Sequence, residues 1–79
     1  MKTLSAEQLA EVVRELFLVQ GVLDTDSDLS MYVKDSIDLG ELIAVVKERY
    51  DLAPRDMQLF KLHTALGDVA QIFIHDSAL

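Results

Sequence analysis

The chain has no cysteine, no tryptophan and a single proline among its 79 residues. Without cysteine, disulfides and thiolate metal sites are excluded. Bases are scarce as well: seven Lys and Arg face fourteen Asp and Glu, for a net charge of -7. That balance argues against nucleic acid as a partner, since phosphates require a basic footprint. It suits a partner with a basic surface, because complementary charge speeds and orients encounter. No apolar run approaches the length of a transmembrane helix, so no membrane insertion is expected. Residues 1–7 turn polar before any apolar run develops. No signal peptide is therefore expected, and the chain reads as a soluble cytoplasmic protein.

What is present is mostly aliphatic. Hydrophobic residues make up 51% of the chain, and only Phe17, Phe60, Phe73, Tyr32 and Tyr50 are aromatic. This length supports one domain spanning 1–79, with a core small enough to need that apolar content. The acids are unevenly placed. Asp24, Asp26, Asp28, Asp35, Asp38 and Glu41 fall within one short stretch that holds a single base, Lys34.

Ser5 followed by Gln8 has the pattern of a capping box, so a helix is expected to start there. Leu9, Val12, Val13, Leu16 and Phe17 recur at helical spacing and form its apolar face. Gly21 is expected to end it, after Val19 or Gln20, by accepting a left-handed backbone. From Val22 to Lys34 the helical period lapses. Asp24-Thr25-Asp26-Ser27-Asp28 is turn chemistry, and Leu23, Leu29, Met31 and Val33 are expected to pin this long loop to the core.

Asp35 or Ser36 then caps a second helix running to about Tyr50, with Leu39, Leu42, Ile43 and Val46 facing inward. Pro54 suits the start of a short helix over 55–60. His63 or Thr64 precedes a last helix with Leu66, Val69, Ala70, Ile72 and Phe73 on its apolar face, fraying near His75. These elements predict an all-α domain: a four-helix bundle of three longer helices and one short helix, with a long loop between helices one and two.

The string Asp35-Ser36-Ile37-Asp38-Leu39-Gly40-Glu41-Leu42-Ile43 is the most informative in the chain. It sets a serine hydroxyl at the start of a helix, after a long loop and beside an acid. Free amides at a helix N-terminus suit a phosphate ester, and a hydroxyl there is open to a large modifying enzyme. Asp-Ser at such a place also serves as an ordinary N-cap.

The string resembles the Asp-Ser-Leu attachment motif of acyl carrier proteins, with Ile37 where that family usually has Leu. Asp38, Glu41 and Leu42 keep the family pattern, and Tyr50 falls where an aromatic often closes the second helix. The Pro54 turn and the segment from Thr64 to Phe73 resemble the family's third and fourth elements. The likeness therefore runs over nearly the whole chain. It implies that Ser36 receives 4′-phosphopantetheine from coenzyme A through a phosphopantetheinyl transferase. The thiol of that arm would hold acyl groups as thioesters, so the sulfur belongs to the prosthetic group. The chain itself would catalyse nothing and would act as a monomer. It would shuttle acyl intermediates between acyl-transfer and chain-elongation enzymes of polyketide or fatty-acid biosynthesis.

By the same resemblance, Asp35, Asp38 and Glu41 are recognition acids read by basic docking patches on those enzymes. Asp24, Asp26 and Asp28 would extend the field, or all six acids simply solvate the surface. Leu39, Ile43, Val46 and Leu62 either border a cavity that admits an acyl chain or form plain core. Several positions depart from the family. Val33 stands where many members have Gly, and Lys47 and Arg49 put positive charge late in a helix that is commonly acidic. The stretch Leu59-Phe60-Lys61-Leu62-His63-Thr64 is longer and more apolar than usual. Gly40 replaces an apolar branched residue, which would open room beside the arm or let a partner approach closely. These departures favour a dedicated pathway carrier over the general fatty-acid carrier.

Other readings stay open. A peptidyl or aminoacyl carrier has the same arm and different partners, although Asp35 and the acidic balance favour acyl cargo. An unmodified helical protein-interaction module explains the helices and charge but not the placement of the motif. Asp24, Asp26 and Asp28 fall at positions one, three and five of a calcium-binding EF-hand loop. Leu29 then stands where its turn needs Gly, and Asp35 where it needs Glu. An enzyme is not expected: the only histidines, His63 and His75, are far along the chain from Ser36, and His63 suits a cap or surface role.

Overall fold

The computed structural model describes residues 3–21, 23–61 and 63–75. Its first helix, α1, spans Ala6–Leu16. The capping box is formed: the Gln8 amide donates to Ser5 Oγ at 3.1 Å, and the Ser5 amide donates to Gln8 Oε1 at 3.0 Å. Leu9, Val12 and Val13 are wholly buried along its inner face.

The helix stops earlier than glycine placement suggests. Leu18, not Gly21, takes the left-handed conformation just beyond it (φ 55°), and the Val19 amide donates back to the Arg14 carbonyl at 2.9 Å. This is the bond of a Schellman-type stop, made here without glycine. Gly21 serves a separate turn at φ 79°.

The long loop is ordered by local and distant bonds. Asp24 Oδ1 accepts from the Asp26 amide at 2.9 Å, and a 3-10 turn spans Leu29–Met31. Leu23, Leu29 and Val33 are buried as expected. Met31 is instead 58% exposed. Helix α2 spans Ser36–Tyr50 and ends at Asp51, which holds a left-handed φ of 55°. Leu42 and Val46 are wholly buried on it. Arg49 forms a forked ion pair with Glu15 (2.6 and 3.3 Å), tying the C-terminal ends of α1 and α2.

The second half corrects the sequence reading. Leu52–Pro54 is a strand, β1, so Pro54 closes a strand and does not open a helix. Only a 3-10 turn, Met57–Leu59, stands where a short helix over 55–60 was expected, with the Asp56 carboxylate accepting from the Gln58 amide at 2.9 Å. The last helix, α3, covers only Leu66–Ala70, and Phe73–His75 forms a second strand, β2. The two strands pair antiparallel, Leu52 with His75, Ala53 with Ile74 and Pro54 with Phe73. Thr3 bridges the other side of Ile74.

Among the described residues the chain therefore has three α-helices and a two-stranded antiparallel sheet, a small mixed α/β fold. It is not the all-α four-helix bundle expected from periodicity. The reason lies in Ile72-Phe73-Ile74. Phe73 fits the helical period of Leu66, Val69 and Ala70, yet the run is β-branched and aromatic and has a strand to pair with.

Helix α3 has no side-chain cap of its own. Loop carbonyls replace it: the Leu66 amide donates to Ser27 O at 2.9 Å, and the Gly67 amide to Thr25 O at 3.0 Å. The long loop thus satisfies the orphan amides of a helix far along the chain. The core gathers Leu9, Val12, Leu42, Leu66 and Phe73 between α1, α2, α3 and β2.

Candidate functional site

Asp35 is the N-cap of α2. Its Oδ1 accepts from the amides of Ile37 and Asp38, both at 3.0 Å. Asp38 reaches back in turn, its Oδ2 accepting from the Lys34 amide at 3.0 Å. Two of the first-turn amides are thus already used, so the helix end offers a ligand fewer donors than its position suggests.

The capping role that sequence alone left between Asp35 and Ser36 belongs to Asp35. Ser36 is the first residue of the helix and is exposed. Among the described residues its hydroxyl makes no hydrogen bond. Ile37 beside it is 70% exposed, an unusual display of a large apolar side chain.

A recess of about 250 Å³ opens beside Ser36. Leu29 and Val33 from the loop, Leu39 from α2 and Phe60 make its apolar lining, and Asp35, Ser36 and Lys61 complete it. Phe60 is held edge-to-face against the buried Phe73, with ring centroids 5.7 Å apart. Such a contact fixes the ring that forms this wall. A larger groove of about 600 Å³ runs along α1 past Glu7, Glu11, Arg14 and Leu23, and shares no residue with the recess beside Ser36.

The other expected site residues are dispersed. Glu41 lies exposed on α2, near in sequence to Asp35 and Asp38, whose carboxylates hold the helix start. Of the residues expected to border an acyl cavity, Leu39 lines the recess. Ile43 is half-buried against the core and Val46 is fully inside it. Leu62 lies outside the described residues. The loop acids Asp24 and Asp26 form a turn, while Asp28 faces another way, toward Ser30 and His63. Among the described residues no three His, Asp or Glu side chains gather where a metal ion would sit.

Phe60 and Lys61 were not legible as site residues. Their only signal was the unusually long apolar stretch 59–64, which does not say where it folds. Among the described residues no helix is long and apolar enough to cross a membrane. No protein-family model matches this chain, and no curated protein or solved structure matches it.

Proposed function

We propose that this chain is a cytoplasmic, monomeric acyl carrier protein, modified on Ser36 by 4′-phosphopantetheine and visited by enzymes of fatty-acid or polyketide type. One observation carries the reading: among the described residues nothing uses the Ser36 hydroxyl. Asp35 does the capping that would otherwise explain a serine at this position, and Ser36 stays exposed with no hydrogen bond among the described residues. The reading rests on this site and on the motif around it. The overall fold departs from the bundle that the family resemblance implies.

In the modification, Ser36 Oγ attacks the phosphorus of coenzyme A that bears the pantetheine. The new O–P bond forms as the diphosphate P–O bond breaks and 3′,5′-adenosine bisphosphate leaves, while the hydroxyl proton passes to the transferase. Once bound, the arm supplies the thiol that this cysteine-free chain lacks. The chain's own residues present the attachment point. Asp35 fixes the helix start, Ile37 offers an apolar contact beside it, and Asp38 and Glu41 add the charge that a basic docking patch reads.

The test is intact mass after incubation with coenzyme A and a broad-specificity phosphopantetheinyl transferase, with Ser36→Ala alongside. The expected result is a gain of one phosphopantetheine on the native chain alone. No gain on folded protein, with several transferases, would sink the proposal and favour an unmodified interaction module.

A further inference from the structure

We infer that Lys61 is the counter-charge for the phosphodiester on Ser36, and that the recess beside Ser36 seats the first part of the arm itself. The inference rests on the carrier reading and adds a residue role that the motif does not contain.

A phosphodiester on Ser36 Oγ would carry a negative charge into an acidic neighbourhood, with Asp35 before it and Asp38 one turn into the helix. The helix end gives limited relief, because Asp35 already accepts from the Ile37 and Asp38 amides. A cation nearby would offset this charge, since like charges at close range repel. Two lysines are candidates. Lys34 is nearer in sequence, but its Nζ donates to the Ser30 carbonyl at 2.9 Å, and its amide is held by Asp38. Lys61 makes no hydrogen bond or ion pair among the described residues, and it lines the same recess as Ser36. It is the base that remains available.

The recess has matching chemistry beyond its charge. Leu29, Val33, Leu39 and Phe60 give it apolar walls next to the attachment oxygen. The segment of the arm next to its phosphate carries a gem-dimethyl carbon, which such walls would shelter from water. Size agrees with this occupant. An engineered cavity of about 150 Å³ accepts benzene, so a recess of about 250 Å³ holds on the order of ten non-hydrogen atoms. That is a fraction of the arm, not the arm with a long acyl chain.

The experiment compares amide and side-chain NMR spectra of the apo chain and of the chain loaded from coenzyme A, in the native sequence, Lys61→Gln and Lys61→Arg. Loading is verified by intact mass in every sample. Loading of the native chain is expected to displace the signals of Leu39, Phe60 and Lys61 as well as those next to Ser36. In Lys61→Gln the displacement at Leu39 and Phe60 is mostly lost, and in Lys61→Arg it is kept. High salt should shrink it in the native chain, as screening requires. Full loading with displacements confined to residues 34–38, or with Lys61→Gln behaving as native, would overturn the role of Lys61 and leave the carrier reading standing. Failure to load any sample would overturn both.

Discussion

His63 Nδ1 lies 3.0 Å from Asp28 Oδ2, joining two segments that are 35 residues apart. An ionised carboxylate can only accept, so the imidazole carries its proton on Nδ1. The same Oδ2 accepts from Ser30 Oγ at 2.9 Å, whereas Oδ1 is shielded from solvent and has no hydrogen-bond partner among the described residues. Asp28 and Ala65 are also bridged through the backbone, so this contact clasps the long loop onto the lead-in to α3. The flanks of the clasp, Leu29 on one side and Lys61 on the other, are walls of the recess beside Ser36.

The clasp predicts an acid-limb effect. The bond from His63, reinforced by that from Ser30, holds the Asp28 carboxyl below its ordinary value of 3.8. The unfolded chain therefore binds this proton at higher pH than the folded one does. The contribution is complete above the ordinary carboxylate range and fades as pH falls through the lowered folded pKa. Glu15, held down chiefly by Arg49, works in the same direction. His63→Ala should lower the denaturation midpoint at neutral pH and flatten its decline in acid. Glu15→Gln serves as the comparison, because it removes the exposed Arg49 ion pair, whose contribution should shrink in high salt. An acid limb unchanged in His63→Ala would mean that the pair contributes nothing in solution.

Leu18 predicts a gain in stability. It holds a left-handed φ of 55° and is 83% exposed, so its side chain gives little burial in return for the strain. Left-handed backbone costs a non-glycine residue about 1–2 kcal/mol, while glycine loses about 0.5–1 kcal/mol more in chain entropy on folding. Leu18→Gly should therefore stabilise the chain by roughly 0.5–1 kcal/mol in urea unfolding. A loss of stability would show that Leu18 packs usefully despite its exposure.

Gly40 predicts another. It sits inside α2, exposed, and among the described residues a methyl group there would meet nothing within 4 Å beyond its chain neighbours and the nearby backbone of its own helix. Among the described residues nothing requires glycine at this position. Gly40→Ala should raise stability by about 1 kcal/mol, the usual penalty of a mid-helix glycine. If Ser36 is loaded as proposed, Gly40→Ala should leave that loading unchanged by mass, since Gly40 does not line the recess. Slower handling by a partner enzyme, with loading intact, would assign the glycine to close approach by that partner.

Much of the first half was legible because its signals are local. The Ser5–Gln8 box, the start of α2 at Ser36 and its end at Tyr50 follow from residues within four positions of one another. The choice between Asp35 and Ser36 as cap was not legible, because both residue types serve and only geometry selects one. Gly21 drew attention to the wrong place for the end of α1. The chain accepted a strained Leu18 in order to turn sooner, and propensity cannot anticipate that.

The second half was misread where one run satisfies two periods. Leu66, Val69, Ala70 and Phe73 fit a helix, yet Phe73 pairs with Pro54 in a strand. By itself the sequence determined the acidic balance, the two longer helices and a serine at the start of the second, since capping and periodicity act over a single turn. Only the tertiary structure decided that Phe73–His75 forms a strand, that Asp28 meets His63, and that Phe60 and Lys61 come to stand beside Ser36. Those outcomes depend on which distant segments close on each other to bury Phe73 and Leu29, and no local preference encodes that closure.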